Sequence, residues 1–458
     1  MLDRWPVLKE VLHLLMPMVL TLTLELSISM VDTLMLGNYS PYHLAAVGLA
    51  SSLWTPVGCF LMGITFGLTP LVTRHLHGRQ MKMVNIYMSQ TLGVCLTVGL
   101  LAALTVAFIL PYFAIMMATE EETQRVSAQY LQILAPAIPA LAFTVGYKNL
   151  FEAAGRPNFP LIAAAIGLLM NAGLNYLFIF GNFGFPEMGA AGAALASTIS
   201  IYFSITLFFV YDKFFSPKTL FTKIKTKYLF RFGILLNVGL PAGLAFSFEI
   251  GLFSSMTWLI SSFGDLAIGA GQIIMSYTSL LFTPLMAMSA VTAIVVAKSL
   301  SKEGVEGVRK RMRVIVGLGL SYVFICFVVT QTFNETIPTF FSSDPDIIAM
   351  AAGLLIISSA YQVADMLQTV FTGGLRGFRD TRFSMIAFAI SLFVLCLPLG
   401  YWLAHFSPWA TELNVRGFYI GLGSGLALLS LLLILRFRFV VNRALKRKIK
   451  YEEAGVVA

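Results

Sequence analysis

Long apolar runs, separated by short polar joints, recur along the whole chain. Each run reaches the roughly 20 residues that a helix needs to cross the ~30 Å hydrocarbon core of a bilayer. Gly, Pro, Asn and Asp cluster at joints such as "GNFGFPEMG" and "SSDPD", where helices are expected to end. The pattern predicts twelve spans, at about 7–36, 46–73, 84–110, 126–151, 158–181, 189–211, 234–262, 267–297, 314–333, 347–373, 382–403 and 415–436.

The composition agrees with an integral membrane protein. Of 458 residues, 58% are hydrophobic and only 12% are charged, and the mean hydropathy is +0.82. The net charge of +9 does not indicate a nucleic-acid partner, because the basic residues lie between the apolar runs. The first apolar run is too long for a cleavable signal peptide, so we expect it to remain as the first span.

The basic residues predict the orientation of the spans. All but two of the 31 Lys and Arg residues, Arg125 and Arg416, lie at alternate joints or at the termini. Because cytoplasmic loops carry an excess of Lys and Arg, we expect both termini to be cytoplasmic. Lys148, near the cytoplasmic end of the fourth span, can extend its ammonium group toward the cytoplasm and is expected to have a structural role.

A basic segment, 213–233, divides the spans into six and six. The stretch "LLMPMVLTLTLELSISMVDTLML" (14–36) aligns with "LNVGLPAGLAFSFEIGLFSSMTWLI" (236–260) at an offset of 224, which places Glu25 on Glu249. Because each half has an even number of spans, the halves have the same orientation. This predicts a parallel repeat about an axis near the membrane normal.

A second pair of segments supports the repeat. "FEAAGRPNFP" (151–160) resembles "FTGGLRGFRDTR" (371–382), and each follows the fourth span of its half. We therefore predict an all-α integral membrane protein with twelve transmembrane helices in two six-helix lobes and a central cleft. The predicted domains are an N-lobe at 1–212, a basic cytoplasmic linker at 213–233, and a C-lobe with a basic tail at 234–450.

Four acidic residues lie inside the predicted spans: Glu25, Asp32, Glu249 and Asp365. An ionisable group at the centre of a membrane helix costs at least ~2.5–3.5 kcal/mol on insertion scales, and such groups usually line an ion or substrate path. A protonated, hydrogen-bonded structural carboxyl is the alternative. Four such residues in one chain, two at repeat-related positions, favour a functional role.

In the C-lobe, the geometry of the helices predicts that Glu249 and Asp365 share a site. At ~1.5 Å per residue, Asp365 lies roughly 16 Å and Glu249 roughly 21 Å from the cytoplasmic end. Two carboxylates that meet in a low dielectric cannot both stay charged without a cation, which predicts a Na⁺ or H⁺ site. Tyr361 and Gln368 share a helix face with Asp365 and could supply oxygen ligands or hydrogen bonds.

In the N-lobe, Glu25 and Asp32 are seven residues apart and share one face of the first helix. Asn171 and Asn175 likewise share a face of the fifth helix. These amides either bond neighbouring helices together or form a polar site with Asp32. The sequence contains no P-loop, dinucleotide fingerprint, Ser/His/Asp set or His/Cys metal spacing, so we expect neither an enzyme nor a cofactor. A passive channel remains an alternative that ion-gradient dependence would distinguish.

Several motifs together resemble one family. They are "VDTLMLG" (31–37), "FEIGLF" (248–253), "YQVAD…TGGLRGFRD" (361–380) and "LLMNAGLNYLFIFGNFGFPEMGAAGAALAS" (168–197). With these motifs the chain resembles the multidrug and toxic compound extrusion (MATE) family, bacterial NorM-type branch, along essentially its whole length. The resemblance implies twelve helices in two lobes, and antiport in which Na⁺ or H⁺ enters while an organic, often cationic, drug leaves.

The resemblance also implies roles for single residues. Glu249 and Asp365 match the family's C-lobe cation site, where Na⁺ would bind. Asp32 matches the N-lobe acid, and Asn171 and Asn175 match the asparagines beside it. Glu25 departs from the family pattern, because relatives tend to carry an uncharged polar residue there. It could add a proton site, a contact to a cationic drug, or no function, and it affects the expected ion stoichiometry.

We therefore expect a monomeric, Na⁺- or H⁺-coupled multidrug exporter of a bacterial inner membrane, surrounded by lipid and working by alternating access. The alternative within the same superfamily is a lipid-linked saccharide flippase. A flippase would be expected to have a cationic cavity for pyrophosphate, and no cluster of Arg or Lys lies within the predicted spans.

Overall fold

Helices occupy nearly all of the chain that the structure describes. The computed structural model describes residues 5–78, 80–117, 120–216, 219–409 and 414–453, without the side chains of 253–255, 257–258, 261, 265 and 447–453. The predicted location of the termini concerns residues 1–4 and 454–458, which lie outside these ranges. Basic residues that support the predicted orientation but lie outside the described residues or side chains are Arg4, Arg79, Lys218, Arg447, Lys448 and Lys450.

The helices of the first half follow the predicted apolar runs. They are α1 (Trp5–Tyr39), α2 (Pro41–Phe66), α3 (Leu68–His77), α4 (Met81–Val94), α5 (Leu100–Leu104), α6 (Leu110–Met117), α7 (Glu121–Leu134), α8 (Ala137–Ala153), α9 (Asn158–Phe178) and α10 (Ala190–Val210). Short π-helical segments join α4, α5 and α6 into one span. α7 and α8 meet at 49°, next to Pro136, which lacks the N–H that would continue the helical ladder.

The helices of the second half complete the predicted set. They are α11 (Gly233–Ile260), α12 (Asp265–Lys302), α13 (Gly304–Thr332), α14 (Thr336–Thr339), α15 (Pro345–Gly377), α16 (Thr381–Ala389), α17 (Leu397–His405) and α18 (Arg416–Glu453). Across the described residues, eleven helical stretches are long and apolar enough to cross a membrane, and the bent α7–α8 pair makes a twelfth. The prediction of an all-α protein with twelve spans is confirmed.

The chain forms two compact units. The N-unit comprises His13–Gly243, and the C-unit comprises the residues up to Leu12 together with those from Leu244 onward. The predicted lobes, 1–212 and 234–450, remain a prediction. Three sets of contacts explain why the compact units begin and end at other residues.

The first turns of α1 belong to the C-unit because Glu10 forms ion pairs there. The Glu10 carboxylate accepts from Lys298 Nζ and, at 3.2 Å, from Arg311 Nε. The Arg311 guanidinium also donates to both oxygens of Glu303, at 2.5 and 2.7 Å. This hydrogen-bonded cation holds the pKa of Glu303 below its ordinary value.

The segment predicted as a basic linker lies against the N-unit. The Asp212 carboxylate accepts two backbone N–H groups of this segment, both at 2.8 Å. Side chains of α4 bind it further along: Asn85 and Ser89 accept backbone N–H groups, and Gln90 donates to a backbone carbonyl. Because these contacts satisfy its backbone groups, residues 219–231 follow α4 closely.

The first turns of α11 belong to the N-unit because glycines let them approach α2 and the residue after it. Gly63 and Gly67 form one G-x-x-x-G motif, and Gly239 and Gly243 form another. A Cβ atom built on Gly63 would lie 2.4 Å from Gly243 Cα, and one built on Gly67 would lie 2.7 Å from Gly239 Cα. Small residues at this spacing are the usual means of close helix packing in membranes.

We expect Gly63→Ala to destabilise the protein by about 1–3 kcal/mol, because the added methyl group must push the two helices apart. The measurement is the thermal unfolding midpoint of the purified protein in detergent. Gly48→Ala is the matched control, since a Cβ there meets open space and alanine favours a helix by roughly 0.5–1 kcal/mol. Equal midpoints for the two variants would contradict the close packing.

Candidate functional site

The helix α15 carries most of the polar residues of the C-unit site, and close packing fixes its position. It lies against α12, α13 and α18. A Cβ atom on Gly373 would lie 2.2 Å from the Ser289 carbonyl oxygen, and one on Gly377 would lie 2.8 Å from Val296. With its backbone this close to α12, α15 has little freedom to shift, and its side chains are held at defined positions.

Glu249 and Asp365 meet at a single amide group. Gln368 Nε2 lies 3.0 Å from Glu249 Oε1 and 3.0 Å from Asp365 Oδ1. It also lies 2.9 Å from Thr369 Oγ1. A side-chain amide carries two hydrogens, so it satisfies only two of these three oxygens at once. The predicted proximity of the two acids is present, and one neutral donor stands between two potential negative charges.

Further oxygen atoms of α15 have no hydrogen-bond partner. Among the described residues, Gln368 Oε1 and Thr372 Oγ1 are buried and unpaired. Gln368 and Thr372 are four residues apart and share the helix face of Asp365. Together with Thr369, they bring neutral oxygen donors next to two carboxyls, the kind of ligand set that hard cations prefer. Gln368 is predicted from its spacing to Asp365, whereas nothing in the spacing indicates Thr369 and Thr372.

The surroundings of Tyr361 differ from those of the predicted cation ligand. It is buried, and it borders a largely apolar cavity together with Met256, Thr278 and Tyr419. No hydrogen bond joins Tyr361 to Asp365 in the described part of the chain, although the two groups interact electrostatically. The structure therefore places Tyr361 beside the acid pair, and its role as a cation ligand remains a prediction.

In the N-unit, Asp32 is buried within a set of neutral polar side chains. Asn175 Nδ2 donates to Asp32 Oδ1 at 2.5 Å and to Asn171 Oδ1 at 3.1 Å. Ser197 Oγ donates to Asp32 Oδ2 at 3.2 Å. Of the two interpretations of the asparagines, this geometry supports a polar site with Asp32.

Two neighbours of Asp32 were not selected from the sequence. Ser197 comes from α10, inside the quoted motif that ends in "AALAS", where nothing in the spacing distinguishes it from a packing serine. Tyr130 of α7 is buried, interacts electrostatically with Asp32, and hydrogen-bonds Ser51. A buried tyrosine hydroxyl needs a partner, so this contact extends the polar set to α2.

Glu25 does not join Asp32, and Lys148 does not extend toward the cytoplasm. Lys148 Nζ donates to both oxygens of Glu25 at 2.8 Å, and the Lys148 side chain is only 9% exposed. The expectation that Lys148 reaches the membrane interface is wrong, because a buried ammonium group is held by a carboxylate inside the N-unit. Glu152, which the predicted spans left out, is buried beside them.

Membrane helices arranged in a repeat, with acidic side chains inside the spans, are features of membrane transporters. The sequence matches the family model described as MatE over residues 17–177 and again over 241–402, and the chain belongs to this family. The two matches begin 224 residues apart, which confirms the predicted repeat and its offset. A member of this family is a transporter and not an enzyme.

Known relatives resemble the chain along nearly its whole length. A probable multidrug resistance protein NorM of Bacillus cereus is 30% identical over 95% of this chain and 96% of its own. A protein of the same description from Bacillus subtilis (strain 168) is 30% identical over 92% and 93%. The crystal structure of the eukaryotic MATE transporter AtDTX14 shares the fold, with a TM-score of 0.86 at 16% identity, covering 97% of this chain and 99% of that one.

We expect Gln368→Met to destabilise the protein by about 1–3 kcal/mol, because it removes the donor on which both buried acids depend. The measurement is again the thermal unfolding midpoint in detergent. The double variant Gln368→Met/Glu249→Gln should recover much of the loss, since it removes one acid and returns an amide donor.

Gln362→Met on the same helix is the matched control. Gln362 Nε2 is buried and, within the described residues, has no acceptor, so its replacement by an apolar side chain should be neutral or stabilising. Similar decreases of the unfolding midpoint in both variants would show that the hydrogen bonds from Gln368 to the two acids do not stabilise the protein.

Proposed function

We propose that this chain is an antiporter that exports organic compounds, many of them cations, in exchange for Na⁺ or H⁺. The observation that carries the proposal is the meeting of Glu249 and Asp365 at the amide of Gln368. The names of the relatives, multidrug resistance proteins of the same family, support the class of cargo.

The coupling step follows from the charge of this pair. Two carboxylates on one neutral donor repel each other in a low dielectric, and a bound proton or Na⁺ removes that repulsion. Na⁺ would be held by Glu249 and Asp365, with the unpaired oxygens of Gln368 and Thr372 as neutral donors. H⁺ would reside on one of the two carboxyls, and the amide would donate to the other, ionised one.

Transport then requires that the cation bind one conformation more tightly than another. A cation entering from outside shifts the population toward the inward-facing state only by its differential affinity for the two states. Cargo from the cytoplasm or inner leaflet binds there and leaves after the cation is released. We also place the protein in a bacterial inner membrane, as a monomer. The distribution of its basic residues supports cytoplasmic termini.

The flippase alternative gains no support. A pyrophosphate carrier needs cationic side chains that are free to bind phosphate. Among the described residues of the spans, Lys148 is paired with Glu25 and Arg376 donates to Ser289. Arg376 also interacts electrostatically with Glu249, so both cations already have partners within the protein.

We expect Glu249→Gln to abolish cation-driven export while leaving membrane insertion intact, because Asp365 is then the single carboxyl of the pair and no repulsion between two carboxylates is left for a cation to remove. The measurement is ethidium efflux from cells expressing the chain, with a Na⁺ gradient and an H⁺ gradient imposed separately. The gradient that drives efflux in the wild type identifies the coupling ion.

Asp346→Asn on α15 is the control, because it removes a carboxylate from the same helix at an exposed position. It should export ethidium at the wild-type rate. Full activity in Glu249→Gln would overturn the coupling assignment. Export by the wild type that survives dissipation of both gradients would overturn the antiport mechanism and favour a channel.

A further inference from the structure

The N-unit contains a second buried acid site, in which a carboxylate is already neutralised by a side chain. Glu25 accepts from Lys148 Nζ through both of its oxygens, at 2.8 Å each. The two side chains differ in exposure: Lys148 is 9% exposed, whereas Glu25 is 36% exposed. Glu25 is therefore the member of the pair that a ligand can reach.

Lys148 has a second acid within reach on its own helix. Glu152 lies one turn further along α8, at the i+4 position, where side chains are neighbours. It is 4% exposed and interacts electrostatically with both Lys148 and Glu25. Among the described residues no hydrogen bond to its carboxyl group is found, although a buried polar group normally has one. Lys148 could provide that bond by turning away from Glu25.

The internal repeat gives Glu25 and Lys148 a counterpart in the C-unit. Glu25 aligns with Glu249 in the first pair of repeat segments, and the second pair, aligned at Phe151 and Phe371, places Lys148 on Gln368. Both positions donate to the aligned glutamate. The donor is a neutral amide in one half and a cation in the other.

We propose that Glu25 binds the positive charge of an organic cation, and that Lys148 then releases Glu25 and pairs with Glu152. Lys148 acts as a tethered cation that competes with the ligand for Glu25. Before binding there is one ion pair, Lys148 with Glu25. After binding there are two, the ligand with Glu25 and Lys148 with Glu152, so each of the two carboxylates then has a cation. That organic cations are the cargo rests on the proposed function.

The competition can be separated from a simple effect of net charge. With all three groups ionised, two carboxylates and one ammonium carry the net charge of a single carboxylate. The double variant Lys148→Gln/Glu152→Gln keeps that net charge but leaves Glu25 without an internal competitor. A net-charge effect predicts wild-type affinity for this variant, whereas competition predicts tighter binding.

The test is the binding of tetraphenylphosphonium to the purified protein in detergent, measured by calorimetry in the absence of ion gradients. We expect the double variant to bind about tenfold more tightly than the wild type, and Glu25→Gln to bind at least about tenfold more weakly. Glu152→Gln alone should also weaken binding, because Lys148 then has no second partner. Unchanged affinity in the double variant or in Glu152→Gln would overturn the partner exchange.

Two controls accompany this test. Lys298→Gln removes a lysine that is paired with Glu10 and should leave the affinity unchanged; a change there would attribute the effect to loss of any lysine. The neutral compound triphenylphosphine oxide should show no difference among the variants, and a parallel change would indicate altered packing and overturn the proposal. The unfolding midpoint of each variant is first compared with that of the wild type. Lys148→Arg conserves the charge and should bind tetraphenylphosphonium like the wild type.

The outcome is independent of the coupling assignment. Tetraphenylphosphonium binding that follows these expectations without gradient-driven ethidium export would support the exchange and overturn the proposed antiport. Gradient-driven export that depends on Glu249, with no change of affinity in the Glu25 and Lys148 variants, would support the proposed antiport and overturn the partner exchange.

Discussion

A charge inside a membrane must be neutralised or hydrogen-bonded, because the hydrocarbon offers no water to do so. The four acids identified within the spans meet this constraint in three ways. Glu25 has a cation on a neighbouring helix, and Asp32 is surrounded by neutral amide and hydroxyl donors. Glu249 and Asp365 share one amide, and Glu249 also interacts electrostatically with Arg376.

Close helix packing holds these polar side chains at fixed positions. Glycines bring α2 to α11 and α15 to α12 at backbone contact, so the polar side chains between helices find protein partners at fixed distances. In such surroundings an unpaired oxygen, such as those of Gln368 and Thr372, is costly unless a ligand supplies the missing interaction. Rigid packing and incomplete pairing together support the proposal that this buried acid pair binds a cation.

Much of the fold followed from the sequence, because spans and joints depend on local hydropathy. The four acids were also visible, since a carboxylate among apolar residues stands out. Their partners were not. Lys148 lies in the fourth span and Glu25 in the first, and only the packing of α8 on α1 decides that they meet. Ser197 and Thr372 were missed for a different reason. A hydroxyl in a membrane helix most often bonds its own backbone.

The two halves of the internal repeat provide different donors to the aligned glutamate. The aligned positions Lys148 and Gln368 each hold the glutamate of the first helix in their half. A lysine neutralises that glutamate with a charge the protein always carries. A glutamine does not, and the second acid of the C-unit, Asp365, aligns with the apolar Val145 of the first half. In the proposed mechanism, the C-unit therefore depends on an exchangeable cation from solution, whereas the N-unit depends on one only after Lys148 has moved. On these two proposals, a difference of one side chain at the donor position assigns the two halves of a duplicated fold to different cations.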